Sequence, residues 1–268
     1  MKKIKAIILD LDGTLLDDDK KISDKTIDFL KSIKNDIKII LASARQISTI
    51  KPYLNQIDIL DKDNYTICFN GSLVVNNEED IIFSSYIGKD VLNNIDSFIL
   101  ENNIKWTYYL YDNRLLRNDI IDLNMFINQN KIYKIVGVSA TEEIQKIKKK
   151  LPKYILDNLE ITSSEENRIE FVAKGMTKVK AIEMLLNKLN IRKEEIIAIG
   201  DGDNDIEMIK YAGIGIAMLN APDIVKKHAD IVTKYSNNND GIYDVLKNVL
   251  KNGVRYYNEL WKRNNCFD

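Results

Sequence analysis

Short unbroken apolar runs alternate along this chain with segments in which apolar residues recur every three or four positions. Ile4 to Leu9, Ile37 to Ala42 and Tyr65 to Phe69 are runs of the first kind. They lack the polar alternation of a half-exposed strand and predict parallel strands covered on both faces. Between them, Ser23 to Ile33 places Ile27, Leu30 and Ile33 at helical spacing, with Ser23 or Asp24 as N-cap, and Gln46 to Leu54 reads as a second helix. Asn70-Gly71 marks a turn after the third strand. Strand, helix, strand, helix, strand is the order of an open doubly wound α/β sheet.

The same order returns late in the chain. Thr177 to Leu189 predicts a helix, Ile196 to Ile199 a strand, Asp205 to Tyr211 a helix and Ile214 to Met218 a strand. Ala221 to Lys227, Ile231 to Thr233 and Ile242 to Leu250 then predict helix, strand and closing helix. The middle differs. Helices are expected at Val91 to Leu100, Ile121 to Ile127 and Thr141 to Leu151, the last opened by Thr141 without the acidic partner of a capping box. Trp106 to Tyr111 and Leu115 to Arg117 predict a hairpin about Asp112-Asn113, with further strands at Tyr133 to Val138, Leu159 to Ser163 and Arg168 to Ala173. The economical reading is a mostly parallel α/β core, residues 1–83 and 176–268, carrying an inserted smaller α+β unit, 84–175.

Length agrees: 268 residues correspond to about two domains at roughly 150 residues each. With 45% hydrophobic and 29% charged residues, and only 11 Gly and 3 Pro, neither a disordered nor a collagen-like chain is expected. Lys and Arg number 39 against 40 acidic residues, a net charge of −1, which lacks the basic excess of a protein that coats nucleic acid or anionic membrane. Cys68 and Cys266 cannot build a disulfide framework, and one histidine, His228, cannot build a His-rich metal site or support a Ser-His-Asp triad without itself being used. Asp10 and Asp12 interrupt the first apolar run before it reaches a signal-peptide core, and no stretch approaches the roughly 20 apolar residues of a membrane span. The expectation is a reduced, cytoplasmic protein without nucleic-acid or membrane partners; oligomeric state is left open.

The strongest chemical signal is Asp10-Leu11-Asp12-Gly13-Thr14, where the first strand ends. Open α/β sheets place ligands at the carboxyl ends of their strands. In an extended stretch both carboxylates face one side. Like charges about 4 Å apart cost roughly 4 kcal/mol even at an effective dielectric of 20, which a hard cation offsets while letting a carboxylate approach a phosphate. A second cluster, Gly200-Asp201-Gly202-Asp203-Asn204-Asp205, follows the strand ending at Ile199. One Asp/Gly turn is ordinarily solvated and structural, but two on one sheet edge bring Asp10, Asp12, Asp201 and Asp205 within reach of each other. The second cluster is no EF-hand, since a strand precedes it and no acidic ligand closes the loop.

Together with these, the chain resembles the haloacid dehalogenase superfamily, and within it the Cof-type sugar phosphatases with a class IIB cap. Asp10 to Thr14 matches the first motif, Ala42-Ser43-Ala44-Arg45 the second, Lys178 after Gly175 the third, and Gly200-Asp201 through Asn204-Asp205 the fourth. Ala44 stands where glycine is usual and Val179 where glycine is common; neither change removes a reacting group, and the first touches phosphate affinity.

The resemblance implies phosphoryl transfer through an aspartyl-phosphate on Asp10. Asp12 is the implied general acid and base, its pKa pushed upward by the crowded anionic site. Mg²⁺ is expected on the side chains of Asp10 and Asp201 and the backbone carbonyl of Asp12, with Asp205 binding it or ordering one of its waters. Ser43 and Lys178 are the implied phosphate ligands, with the Ala44 amide and Asn204 assisting. Read from the residues alone, Lys178 fits a solvated lysine face with Lys174 and Lys180, and Ser43 fits a helix N-cap. The inserted unit resembles a cap that closes over the site. Trp106, Tyr108, Tyr109 and Tyr111 suit strand packing better than a sugar platform, and Arg114, Arg117 and Arg168 suit surface positions better than a grip on a second anion. The implied activity is a Mg²⁺-dependent phosphatase for small phosphorylated metabolites, sugar phosphates first. The alternatives are a phosphomutase or phosphotransferase with the same nucleophile and, more remotely, a receiver-type or non-catalytic binding module.

Overall fold

The computed structural model describes residues 3–102 and 104–254. Its first half runs β1 (Ala6–Leu9), α1 (Asp24–Ile33), β2 (Lys38–Ala42), α2 (Ile47–Gln56), β3 (Tyr65–Cys68), β4 (Leu73–Asn76) and β5 (Ile81–Ser84). A second group follows: α3 (Lys89–Glu101), β6 (Lys105–Tyr109), β7 (Arg114–Leu116), α4 (Leu123–Gln129), β8 (Lys134–Val138), α5 (Thr141–Lys149), α6 (Lys153–Asn158), β9 (Leu159–Thr162) and β10 (Arg168–Ala173). The chain then returns through α7 (Lys178–Leu189), β11 (Ile196–Gly200), α8 (Ile206–Tyr211), β12 (Ile214–Ala217), α9 (Asp223–Lys226), β13 (Ile231–Val232) and α10 (Gly241–Asn252).

The large sheet has the order β13-β12-β11-β1-β2-β3-β4-β5, parallel from β13 to β3 and antiparallel at its last two strands. This is the doubly wound arrangement expected. In β1 every residue is buried, but on alternate faces: Ile7 and Leu9 join the cluster that holds Leu30, Ile50 and Leu246, while Ala6 and Ile8 join the one that holds Ile182 and Leu185. Two covered faces require apolar residues at every position, which is why the run carries no alternation. Winding outward from β1, the chain takes β2 and β3 on one side and β11 to β13 on the other. Beyond the carboxyl ends of β1 and β11 lies the resulting crevice, the ligand position of such sheets.

Two features depart from the sequence reading. Leu73–Asn76 and Ile81–Ser84 form an antiparallel extension of the sheet where only a turn was expected; β5 is half exposed and its pairing with β4 shifts register at Val74/Val75, so neither strand carries a clean pattern. The middle group also contains an extra short helix, α6, and Thr141 is the first residue of α5 rather than its cap, with Ala140 at the N-cap and no side-chain cap bond.

The middle group folds a separate five-stranded antiparallel sheet, β7-β6-β8-β10-β9. One face, with Trp106, Tyr108, Ile135, Ile169 and Phe171, packs into its own apolar core. Trp106 and Tyr108 are therefore packing residues. Register places Tyr109 beside Lys134, and Glu170 beside Val136, on the opposite face. That face meets the large-sheet unit: Phe69 stacks on Tyr133 at 5.4 Å between centroids and meets Tyr109 edge-on at 6.4 Å.

At the foot of β11, Glu195 accepts hydrogen bonds from the backbone and guanidinium of Arg192 and pairs with Lys5 at 3.1 Å. The Arg192 bonds first, then Lys5, hold its carboxyl down to about 2. A folded-state pKa below the unfolded value stabilises the fold above pH ~4.5, and that contribution disappears as pH falls toward about 2. Glu195→Gln should therefore flatten the acid limb of Tm against pH between those values. An unchanged limb would show that the triad does not act.

Candidate active site

The chain curls immediately after Asp10. Leu15 and Leu16 donate their amides to the carbonyls of Asp10 and Leu11, and Gly13 takes φ +77°. A Cβ at Gly13 would lie 2.2 Å from Oδ2 of Asp201, so glycine lets the two motif loops touch. Thr14 completes the join, its hydroxyl donating to Oδ1 of Asp201 at 2.7 Å.

Asp10, Asp201 and Asp205 form one cluster whose ligand oxygens lie within 4.8 Å of each other. Lys178 sits among them. Its ammonium donates to Asp10 at 2.5 Å and Asp205 at 2.7 Å, and its side chain is 1% exposed, so it is not a member of a solvated lysine face. Local structure explains the placement. Thr177 caps α7 by accepting from the Lys180 amide, and a Cβ at Gly71 (φ +106°) would lie 2.2 Å from the Thr177 carbonyl, so glycine admits the helix start against the β3 turn. Asp205 uses its other oxygen to accept the amides of Asp201 and Gly202, which shapes the fourth-motif loop.

Three carboxylates share one ammonium, and the electrostatics follow. Burial pushes the Asp10 carboxyl well above the usual carboxylate range; Lys178 opposes this, while Asp205 and Asp201 add to it. Burial likewise lifts Asp201 to about 6, against the Thr14 hydrogen bond. Burial alone would lower the Lys178 ammonium, but Asp10 and Asp205 outweigh it and raise it. The cluster is short of positive charge. These hard oxygen donors suit a small divalent cation.

Asp12 behaves differently from the expectation. Because the backbone has left the extended state, its side chain turns away from the cluster into the cleft. There Arg45 grips it with two hydrogen bonds, 2.7 Å from Nε and 2.6 Å from Nη2, and Lys20 adds a third at 2.8 Å. Burial would raise its pKa, but the Arg45 and Lys20 bonds prevail and lower it, opposite to the upward shift anticipated from a crowded anionic site. The Asp12 carboxylate is thus not part of the cluster formed by Asp10, Asp201 and Asp205.

Ser43 is 1% exposed; its hydroxyl oxygen accepts the Arg45 amide at 3.2 Å, and the N-cap position of α2 falls to Gln46, which makes no side-chain cap bond. Asp12, Ala44, Arg45 and Asp201 border a cleft of about 620 Å³ between the two units, together with Lys134 and Tyr109. Lys178 and Asn204 border a second cavity of about 380 Å³. Asn204 donates to Asn70 at 3.1 Å, and Asn70 donates to Thr162 and Glu170 of the inserted unit.

Sequence reasoning gave no role to Thr14, Lys20, Arg45, Asn70, Lys134 or Glu170. The one local signal for the last two was a charge at alternating positions of otherwise apolar strands. Arg117 is engaged with Asp96, whereas Arg114 and Arg168 line the cleft. Tyr111 donates to the Glu79 carbonyl, His228 is exposed, and Cys68 is buried with its thiol pushed up by desolvation. Cys266 and the tail beyond Val254 lie outside the described residues.

Residues 7–246 match the profile of the haloacid dehalogenase-like hydrolases. The chain belongs to this family. A Haemophilus influenzae protein named as a candidate phosphatase is 31% identical over 264 residues, covering 91% of this chain and 97% of its own. The crystal structure of a haloacid dehalogenase-like hydrolase from Bacteroides thetaiotaomicron superposes with a TM-score of 0.79 at 28% identity, covering 92% and 100% of the two chains. A subclass IIB sugar phosphatase of the superfamily superposes at 0.74 with 25% identity, covering 91% and 98%. This haloacid dehalogenase-like hydrolase is of the Cof type and is a phosphoric monoester hydrolase. Among the described residues, no helix is long and apolar enough to cross a membrane.

Proposed function

We propose that this hydrolase is a Mg²⁺-dependent phosphatase of small phosphorylated metabolites, sugar phosphates first, working through an aspartyl-phosphate on Asp10. In this reading residues 1–83 and 176–268 are the catalytic core and 84–175 the cap that closes on it. The observation that carries it is the meeting of Asp10, Asp201 and Asp205 about Lys178 at the switch point of the sheet. The sugar-phosphatase neighbour supports the substrate class.

In the first step an oxygen of Asp10 attacks phosphorus, and the bond from phosphorus to the leaving oxygen breaks. Asp12 gives its proton to that oxygen. In the second step Asp12 takes a proton from water as the water attacks phosphorus, and cleavage of the acyl phosphate restores Asp10 and releases inorganic phosphate. Arg45 and Lys20 keep Asp12 ionised in the resting protein, which suits the second step. For the first, substrate must draw those cations off so that Asp12 can take up a proton. Ser43, Lys178, the Ala44 amide and Asn204 hold the phosphoryl oxygens. Asp10, Asp201 and the Asp12 carbonyl, with Asp205 beside them, would hold Mg²⁺, which would supply the charge neutralisation that lets two anions meet.

With a panel of sugar phosphates, the purified protein should release inorganic phosphate, stop in EDTA and recover when Mg²⁺ is restored. Isomerised sugar phosphate in place of free phosphate would indicate a mutase, and turnover persisting in EDTA would remove the metal from the scheme.

A further inference from the structure

Lys134 and Glu170 are charged residues buried where cap meets core, 4% and 0% exposed, with Nζ and Oε2 3.2 Å apart. Buried ion pairs contribute little net stability, because desolvation cancels most of the attraction. The contacts around this pair lead into the active site. The Lys134 ammonium donates to the Ala44 carbonyl at 2.7 Å, across from cap to core. That carbonyl and the Arg45 amide belong to one planar peptide, so holding one end orients the other. The Arg45 amide donates to the Ser43 hydroxyl oxygen at 3.2 Å. A hydroxyl that accepts there keeps its own proton to donate elsewhere. Such chains strengthen each member by polarisation.

Glu170 secures the cap end. It accepts from Lys134, from Ser164 and from Asn70 at 3.0 Å. Asn70 is presented by three successive left-handed residues, Phe69, Asn70 and Gly71, and its own amide donates to the Ser43 carbonyl at 3.0 Å. Such backbone in non-glycine residues is strained and persists where the surroundings demand it. Both ends of the Ser43 residue are thus tied, directly or through one peptide, to groups that the cap engages.

We propose that Lys134, with Glu170 as its counter-ion, is a positioning residue: by docking on the Ala44 carbonyl it sets the Ser43 hydroxyl as a phosphate donor, so that the donor is complete only with the cap closed. This rests on the reading of Ser43 as a phosphate ligand.

The test is a double-mutant cycle on the full-length protein. The pair Lys134→Met with Glu170→Gln removes the relay without leaving a buried charge unpaired, so thermal melting should stay near that of the native protein. With p-nitrophenyl phosphate and Mg²⁺, kcat should fall at least about tenfold, whereas the same pair introduced into Ser43→Ala should cost less than about threefold. Equal losses in both backgrounds, or no loss in the native one, would overturn the proposal. Ser43→Ala measured alone separates the two layers, because unchanged kcat there removes the phosphate-ligand reading itself and this inference with it.

Discussion

Asp10→Asn should abolish turnover of a generic phosphate monoester in Mg²⁺, with kcat down by about 10⁴-fold or more, while the protein stays folded. The amide has the shape of the carboxylate and can still accept from Lys178, but it is no nucleophile and forms no acyl phosphate. Stability should hold or rise. The substitution takes one of three carboxylates out of a buried cluster that has a single ammonium, and the Asp10 carboxyl is already pushed well above its usual range by burial. The measurements are p-nitrophenolate release and a thermal melt on one preparation. Activity within tenfold of the native protein would remove Asp10 as nucleophile. Inactivity with a collapsed melt would transfer its role to folding.

Lys178→Met should damage both stability and catalysis. It leaves Asp10 and Asp205 buried without their counter-ion, and breaking a buried pair from one side costs about 3–5 kcal/mol. At roughly 2–4 °C per kcal/mol for a domain of 150–250 residues, Tm should fall by on the order of 10 °C in EDTA. Mg²⁺ should recover part of the loss, since it returns positive charge to the same oxygens. Loss of a donor preorganised for the transferring phosphoryl group should lower kcat by about 10²–10³-fold even with metal present. Lys180→Met is the control: that lysine is 51% exposed, pairs with Glu183 on the helix surface and should change neither quantity appreciably. Equal behaviour of the two variants would show that Lys178 does not hold the cluster together.

Much of the site was legible because its parts are local. Asp10 and Asp201 each follow an apolar strand, and parallel strands of one sheet bring such ends to the same edge whatever the rest of the chain does. Asp12 shows where that logic stops. The alternation of an extended strand would place it beside Asp10, but the backbone curls at Leu11 to Gly13 and hands its carboxylate to Arg45, 33 residues away. The edge hairpin of β4 and β5 was missed for a related reason, since a half-exposed pair with a register shift has no clean period to read.

The sequence by itself determined the doubly wound order of the core, the mixed helix-and-hairpin character of the middle segment and the acidic turns, because apolar periodicity and strand direction act over a few residues. The tertiary structure alone decided what surrounds each charge. Lys174, Lys178 and Lys180 look alike along the chain, yet only Lys178 is enclosed by carboxylates, one of them 168 positions distant. Lys134 and Glu170 acquire meaning only where the second sheet lies against the first. A charge is set by what surrounds it once water has gone, and for these residues the surroundings come from distant parts of the chain.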